Sequence, residues 1–405
     1  MSYAADRRNF LKFLAASPLF ATSALAEGLR WPDPMDWAPH DPGKLISDPT
    51  QALSVFEFEP VMKVNVPPAH FGYMATGVDD ELTLRANREG FQKFELRPRR
   101  LVDVSQIDMS VEIFGTRFDS PIVIAPTGSN RAFHPDAEIA VAKAARLGNH
   151  LQILSTVATT SIEDAMTARG APVWFQLYTT QYPEVGEALV KRAEAAGAPA
   201  IAVTLDVRSQ AKWETYARLR RTDTRQCGSC HGGSDYLSRK PNFSSISLGA
   251  AGGTAVTNLT WDSIKRLRDK VKVKLVLKGI LTPEDAKQAA EAGIDGIVVS
   301  NHGGRTEDGV SATITMLPEI VEAVGGRMPV LVDSGFRRGS DIVKALAIGA
   351  RAVCIGRPYL WGLGAFGQPG VERVLGILRN ETRTAMQQLG APSLKDLTPA
   401  MVRRI

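Results

Sequence analysis

The chain has 405 residues, 44% hydrophobic and 22% charged, with a formal net charge of +5. This is the makeup of a globular protein with room for one large core, of the size that a barrel of about 250 residues plus extensions would fill. Arg7, Arg8 and Lys12 against Asp6 sit in the first 26 residues, leaving 45 bases against 42 acids spread along the rest, a balance that gives no ground for a nucleic-acid partner.

The first predicted segment is 1–26. Asp6-Arg7-Arg8-Asn9-Phe10-Leu11-Lys12 precedes a short apolar run, and Ser23-Ala24-Leu25-Ala26 offers a small-residue cleavage site. The pattern is that of a twin-arginine export signal, with an ordinary amphipathic first helix as the alternative. The apolar run is too short to span a bilayer, which takes roughly 20 residues, and Pro18 interrupts it. The expected location is periplasmic, with the mature chain beginning at residue 27.

Residues 27–110 read as an N-terminal extension. Its 32–68 stretch, rich in Pro, Asp and Trp, lacks a sustained period and is predicted to be an extended leader. From 111 to 405 the pattern becomes regular. Eight short apolar, β-branched runs occupy 121–126, 151–156, 173–178, 200–206, 275–280, 296–301, 329–334 and 352–357. Amphipathic stretches such as 183–197 and 283–293 lie between them, so strand and helix alternate. Alternation argues for parallel pairing, and eight units favour a closed (β/α)8 TIM barrel over an open sheet with exposed edges. The strand ends carry Thr127, Ser155, Gln176, Tyr178, Thr204, Asp206, Lys278, Asn301, His302, Asp333 and Arg357, a polar set where such barrels place their sites.

The connection at 207–258, after strand four, is far longer than the usual handful of residues and holds Cys227-Gly228-Ser229-Cys230-His231. This is the spacing of a c-type haem attachment site, with Cys227 and Cys230 as thioether donors and His231 as an iron ligand. A tight disulfide, a partial metal site or an unliganded loop are the alternatives. Cys354, inside the eighth run, reads as a small buried hydrophobe.

At the end of strand six stands Ser300-Asn301-His302-Gly303-Gly304-Arg305. On a glycine-flexed turn His302 and Arg305 can face one small ligand, the guanidinium gripping a carboxylate while the imidazole reaches the adjacent C–H or O–H. The plainer alternative is a hydrogen-bonded helix-entry histidine. After strands seven and eight, Asp333-Ser334-Gly335-Phe336-Arg337 and Gly356-Arg357 supply glycine N–H groups and two arginines, the usual phosphate corner of such a barrel.

These motifs, in this order, resemble the FMN-dependent 2-hydroxy acid oxidase and dehydrogenase family, and the resemblance runs from about Phe71 to the C-terminal region, breaking in the long loop. It implies FMN as cofactor and oxidation of a small L-2-hydroxy acid to the 2-oxo acid. It further implies His302 as the base, Asp206 as its support, and Arg305 and Tyr73 as carboxylate ligands. Tyr178 would hydrogen-bond near the hydroxyl, and Lys278 would lie against the flavin N1–C2 edge. Flavin contacts would come from Pro126, Thr127, Gly128, Ser155, Gln176, Thr204 and Ser300, and its phosphate would lie among Asp333, Ser334, Gly335, Phe336, Arg337, Gly356 and Arg357.

One departure stands out: where the family has a second substrate arginine after the strand-four Asp, this chain has Trp213, with Arg208 and Lys212 as nearby substitutes. Export and the Cys-x-x-Cys-His loop lean toward a cytochrome or quinone as electron acceptor. An oxygen-using oxidase, a flavin isomerase or a non-catalytic flavin and haem electron carrier are the rivals. By analogy with the family, a homo-oligomer, a tetramer, is expected.

Overall fold

The computed structural model describes residues 44–225, 231, 235–248 and 253–405. The export-signal motif, Cys227 and Cys230 lie outside the described residues.

Eight parallel strands close into a barrel. They are β1 (Ile122–Ile124), β2 (Leu151–Ser155), β3 (Trp174–Leu177), β4 (Ala200–Thr204), β5 (Lys274–Ile280), β6 (Gly296–Val299), β7 (Val330–Val332) and β8 (Ala352–Ile355). Closure is the pairing of β8 with β1, Val353 opposite Ile122 and Ile355 opposite Ile124. All eight predicted runs are strands; seven are trimmed at one or both ends, and β5 starts one residue earlier than predicted, at Lys274.

The period of two sorts each strand into two faces. Ile122, Ile124, Ile201, Val203, Leu275 and Leu277 join the large core between strands and helices. Val123, Ala125, Ala200, Ala202, Val276 and Leu331 form the smaller core inside the barrel. A hairpin, Val111–Ile113 with Thr116–Phe118, contributes Val111, Ile113 and Phe118 to that inner core. Its Phe114 ring stacks on Trp174 with centroids 5.2 Å apart, stoppering the N-terminal end. The other end stays open. Carrying the inward parity one step further brings Thr127, Ser155, Gln176, Thr204, Lys278, Ser300, Asp333 and Gly356 to the C-terminal mouth, one from each strand.

Helix ends follow local chemistry. Pro183 opens Pro183–Ala196, and Gly197 closes it in the left-handed conformation at φ 96°. Thr260 caps Trp261–Lys270, and Thr282 caps Pro283–Glu291, each accepting from the backbone N–H three residues on.

The extended leader expected at 32–68 needs correction over its described part. Two short 3-10 turns, Pro49–Gln51 and Val55–Glu57, lead into a helix at Phe58–Asn65. Pro60 lies in the first turn of that helix, where its missing N–H costs no intrahelical bond, so the prolines admit helix starts instead of preventing them. Phe58, Val61 and Met62 join the large core, so the extension is packed as part of the barrel. The extension is also tied to the C-terminal segment, because Phe94–Leu96 pairs antiparallel with Val402–Arg404.

Candidate active site

At the open end of the barrel lies a cleft of about 870 Å³, and an outer vestibule of about 1540 Å³ shares Tyr73, Val157, Tyr178, His302 and Arg305 with it. His302, Gly303 and Gly304 take φ of 56°, 69° and 74° in succession, a turn that swings the imidazole from β6 back toward β4. A side chain at Gly304 would put its Cβ 2.7 Å from the Leu84 backbone N, so glycine is required there. His302 Nδ1 lies 2.9 Å from Asp206 Oδ1. Burial pushes the Asp206 carboxyl up, but the facing His302 imidazole and Lys278 ammonium outweigh it and hold the acid below its ordinary value. An ionised Asp206 keeps the proton on Nδ1 and leaves Nε2 as the nitrogen free for the cleft.

Asp206 approaches because β5 bulges between Lys278 and Ile280 at Gly279, whose φ is 109° and where a Cβ would lie 2.9 Å from Asp206 Cβ. Lys278 is buried on the floor of the cleft, donates to Ser300 Oγ at 2.9 Å and lies 3.5 Å from Asp333. Burial disfavours its charge, yet Asp333 and Asp206 more than offset this, and its pKa is raised. Ser155, Gln176 and Thr204 do not line the cleft. They form a buried chain beneath it, Ser155 donating to Gln176 at 3.1 Å and Gln176 to Thr204 at 2.8 Å.

Arg305 is clamped from several sides. Its Nη1 donates to the carbonyls of Tyr73 and, at 3.3 Å, Thr76. The guanidinium carbon lies 4.7 Å from the Tyr73 ring centroid and 4.6 Å from that of Trp213. Trp213 Nε1 also donates to the Arg305 carbonyl at 2.9 Å. The two proposed substitutes for the second arginine are elsewhere: Arg208 donates to the Thr257 carbonyl at 3.2 Å and Lys212 pairs with Glu214 at 2.7 Å. Neither lines the cleft or the vestibule. Tyr178 lines both; burial, then Tyr73 and Asp206, push its phenol well up, so the hydroxyl remains a donor.

The rest of the cleft is lined by Pro126, Thr127, Gly128, Asp333, Ser334, Gly335, Phe336, Arg337, Gly356 and Arg357. Arg357 donates to the carbonyls of Met74, Gly303 and Thr76, the last shared with Arg305. Burial, then Arg88 and Arg357, pull Arg337 down to about 9; burial, then Arg305, does the same to Arg357. Neither arginine has an ion-pair partner among the described residues, and Arg337 Nε is buried without a hydrogen bond. Two crowded cations with an orphaned donor, beside a glycine-rich turn and the N-terminus of the helix starting at Arg357, fit the flavin phosphate that the resemblance implies. Removing FMN should therefore lower the melting temperature, and saturating FMN restore it. At a thousandfold excess over Kd the difference is about 4 kcal/mol. Equal melting temperatures with and without FMN would remove the anion site from the account.

Gly335 lets the phosphate turn form. Its φ is 84°, and a Cβ there would lie 2.2 Å from the Asn87 carbonyl. Gly335→Ala is expected to cost about 1–3 kcal/mol from backbone strain alone and to lower FMN content per protein. Unchanged stoichiometry and melting curves would contradict that role.

Two contributions went unassigned from sequence. Asn87 and Asn301 exchange amide hydrogen bonds at 2.9 and 2.8 Å, and Arg88 bridges the Gly335 carbonyl and Asp341, tying the extension to the turns after β6 and β7. Asn87 and Arg88 carry no local pattern that says what they grip. Tyr236, from the long loop, lines the vestibule with no sequence signal at all.

His231 does not stand as an open iron ligand. Its Nε2 lies 2.8 Å from His70 Nδ1, its Nδ1 is buried, and its ring stacks on Tyr73 at 3.8 Å. A haem ligated there does not fit this arrangement.

A family model described as FMN-dependent dehydrogenase matches residues 62–404. A peroxisomal (S)-2-hydroxyacid oxidase of Arabidopsis thaliana is 41% identical over 353 residues, covering 87% of this chain and 97% of that one. An L-lactate oxidase of Lysinibacillus sphaericus is 39% identical, covering 84% and 90%. Among solved structures, a soluble mutant of the membrane-associated (S)-mandelate dehydrogenase from Pseudomonas putida superposes with a TM-score of 0.80 at 34% identity, covering 87% of this chain and 99% of that one.

Proposed function

Because the chain belongs to the FMN-dependent dehydrogenase family, we propose that it oxidises a small L-2-hydroxy acid to the 2-oxo acid at the cleft described above. The observation that carries this reading is that the His302–Asp206 pair and the Arg305 clamp share one cleft with the anion corner of Arg337 and Arg357.

Arg337, Arg357 and the Gly335 turn would hold FMN, which would supply the acceptor for the hydride leaving C2. Arg305 and Tyr73 bind the carboxylate and fix which face of C2 is presented. His302 takes the hydroxyl proton at Nε2, and Asp206 stabilises the imidazolium that results. Tyr178 donates toward the hydroxyl oxygen. Lys278 places a positive charge at the floor of the cleft, where negative charge accumulates as the electron pair departs the substrate.

The finer form of the proposal is a periplasmic homo-oligomer, a tetramer by analogy, that passes its electrons to a cytochrome or quinone. The twin-arginine motif supports export, and no haem is part of the scheme. Anaerobic mixing with lactate, glycolate and mandelate should bleach the flavin with at least one acid, and bleaching with none would refute the activity. The reduced protein is then offered oxygen, cytochrome c and a soluble quinone in turn. Fastest reoxidation by oxygen would make it an oxidase instead. Cell fractionation checks the location, and a cytoplasmic result would overturn export.

A further inference from the structure

The long loop after β4 replaces a cation with an aromatic wall, and this bears on which 2-hydroxy acid the site takes. The vestibule opens from the cleft beside His302 and Arg305, so a group attached to C2 and turned away from the phosphate corner enters it. Its charge inventory is short. Among the described residues lining it, Arg305 is the one Lys or Arg, and there is no Asp or Glu. Burial, then His70 and Lys240, hold His231 well below the ordinary imidazole value, so that ring is neutral as well.

The side of the vestibule around Arg305 is aromatic. Trp213 stands edge-on to Tyr73 with centroids 5.6 Å apart, His231 stacks on Tyr73, and Tyr178 and Tyr236 add two more rings; Val157, Val207, Ala211 and Ala255 add aliphatic surface, and the uncharged Ser209, Gln210, Thr254 and Thr306 also line the space. Arg305 is already committed to the substrate carboxylate, and its guanidinium is fixed between the Tyr73 and Trp213 rings. A second carboxylate on the substrate would therefore enter the vestibule with neutral donors but no second cation among the described residues, and a cationic side chain would meet Arg305 with no acid to offset it. An apolar ring or branched chain meets neither penalty and gains contact with aromatic faces.

We propose that Trp213 is a specificity-determining residue and that the substrate is a monocarboxylic 2-hydroxy acid with a bulky apolar side chain, aromatic or branched. The inference rests on the 2-hydroxy acid reading above. Trp213 acts in two ways: its indole covers one face of Arg305, and it occupies the vestibule wall with apolar surface where an arginine would bring a second charge.

The test compares kcat/KM for 3-phenyllactate, lactate and malate, followed by flavin reduction, in the wild type, Trp213→Arg and Trp213→Phe. In the wild type 3-phenyllactate should exceed lactate by at least about tenfold, since even one methylene in an apolar pocket is worth about that much, and malate should be the poorest. Trp213→Arg should shrink the phenyllactate-to-malate ratio by about tenfold or more, whereas Trp213→Phe, which keeps an aromatic wall, should preserve it. Because these are ratios within one preparation, a partly unfolded variant lowers both members and leaves the comparison intact. A wild type that prefers lactate or malate, or a ratio unmoved in Trp213→Arg, would overturn the proposal while leaving 2-hydroxy acid oxidation standing. A flavin that none of the acids reduces would overturn both.

Discussion

Replacing His302 by glutamine is expected to slow flavin reduction by roughly 10²–10⁴-fold, the range a positioned general base contributes, while leaving FMN bound. The imidazole bonds to Asp206, and the phosphate corner contacts this turn through the Gly303 backbone, which the substitution keeps, so the bound flavin spectrum should survive. Asp206→Asn should show the same defect in milder form. The amide cannot stabilise an imidazolium as a carboxylate does, and it can present its NH2 to Nδ1, favouring the tautomer with the proton on the wrong nitrogen. Anaerobic stopped-flow absorbance reads both variants. A His302→Gln protein that bleaches at the wild-type rate would remove the base from the mechanism.

Arg305→Met should cost roughly 10²-fold or more in kcat/KM, equivalent to about 3 kcal/mol for a charge-assisted contact made once in the site. In a site with a second arginine the loss could be shared. Here Trp213 stands in that place, Arg208 and Lys212 face away, and no other Lys or Arg lines the vestibule among the described residues. Arg305→Lys should recover little, because an ammonium cannot reproduce the planar fork held between the Tyr73 and Trp213 rings. Steady-state kinetics with saturating and limiting acid would show the defect. Near-normal kcat/KM in Arg305→Met would mean that the carboxylate is bound elsewhere.

The barrel was legible because a parallel strand buried on both faces leaves a short, nearly continuous apolar run, and eight of these recur. Much of the site was legible for the same reason. Thr127, Ser155, Gln176, Thr204, Lys278, Ser300, Asp333 and Gly356 each follow an inward-facing strand residue by two positions, so the pleat itself delivers them to the mouth. His302 and Arg305 were marked by the paired glycines that their turn requires.

What the sequence concealed lies where no period operates. Whether Arg208 or Lys212 could replace the second arginine depends on the direction of a loop, and only the fold shows that they turn outward. His231 looked like a haem ligand because a five-residue pattern carries no information about His70 and Tyr73, which reach it from a helix more than a hundred positions earlier. The prolines of the extension misled for a local reason, since a proline in the first turn of a helix breaks nothing.

The most direct test of the central claim, that the C2–H bond of a 2-hydroxy acid is broken at this cleft as the flavin is reduced, is the anaerobic bleaching rate with a 2-hydroxy acid and with its C2-deuterated form. The account predicts flavin reduction slowed by deuterium at C2, with the 2-oxo acid formed in equal amount to the flavin reduced. Bleaching indifferent to C2 deuteration across saturating concentrations, with no 2-oxo acid formed, would contradict it.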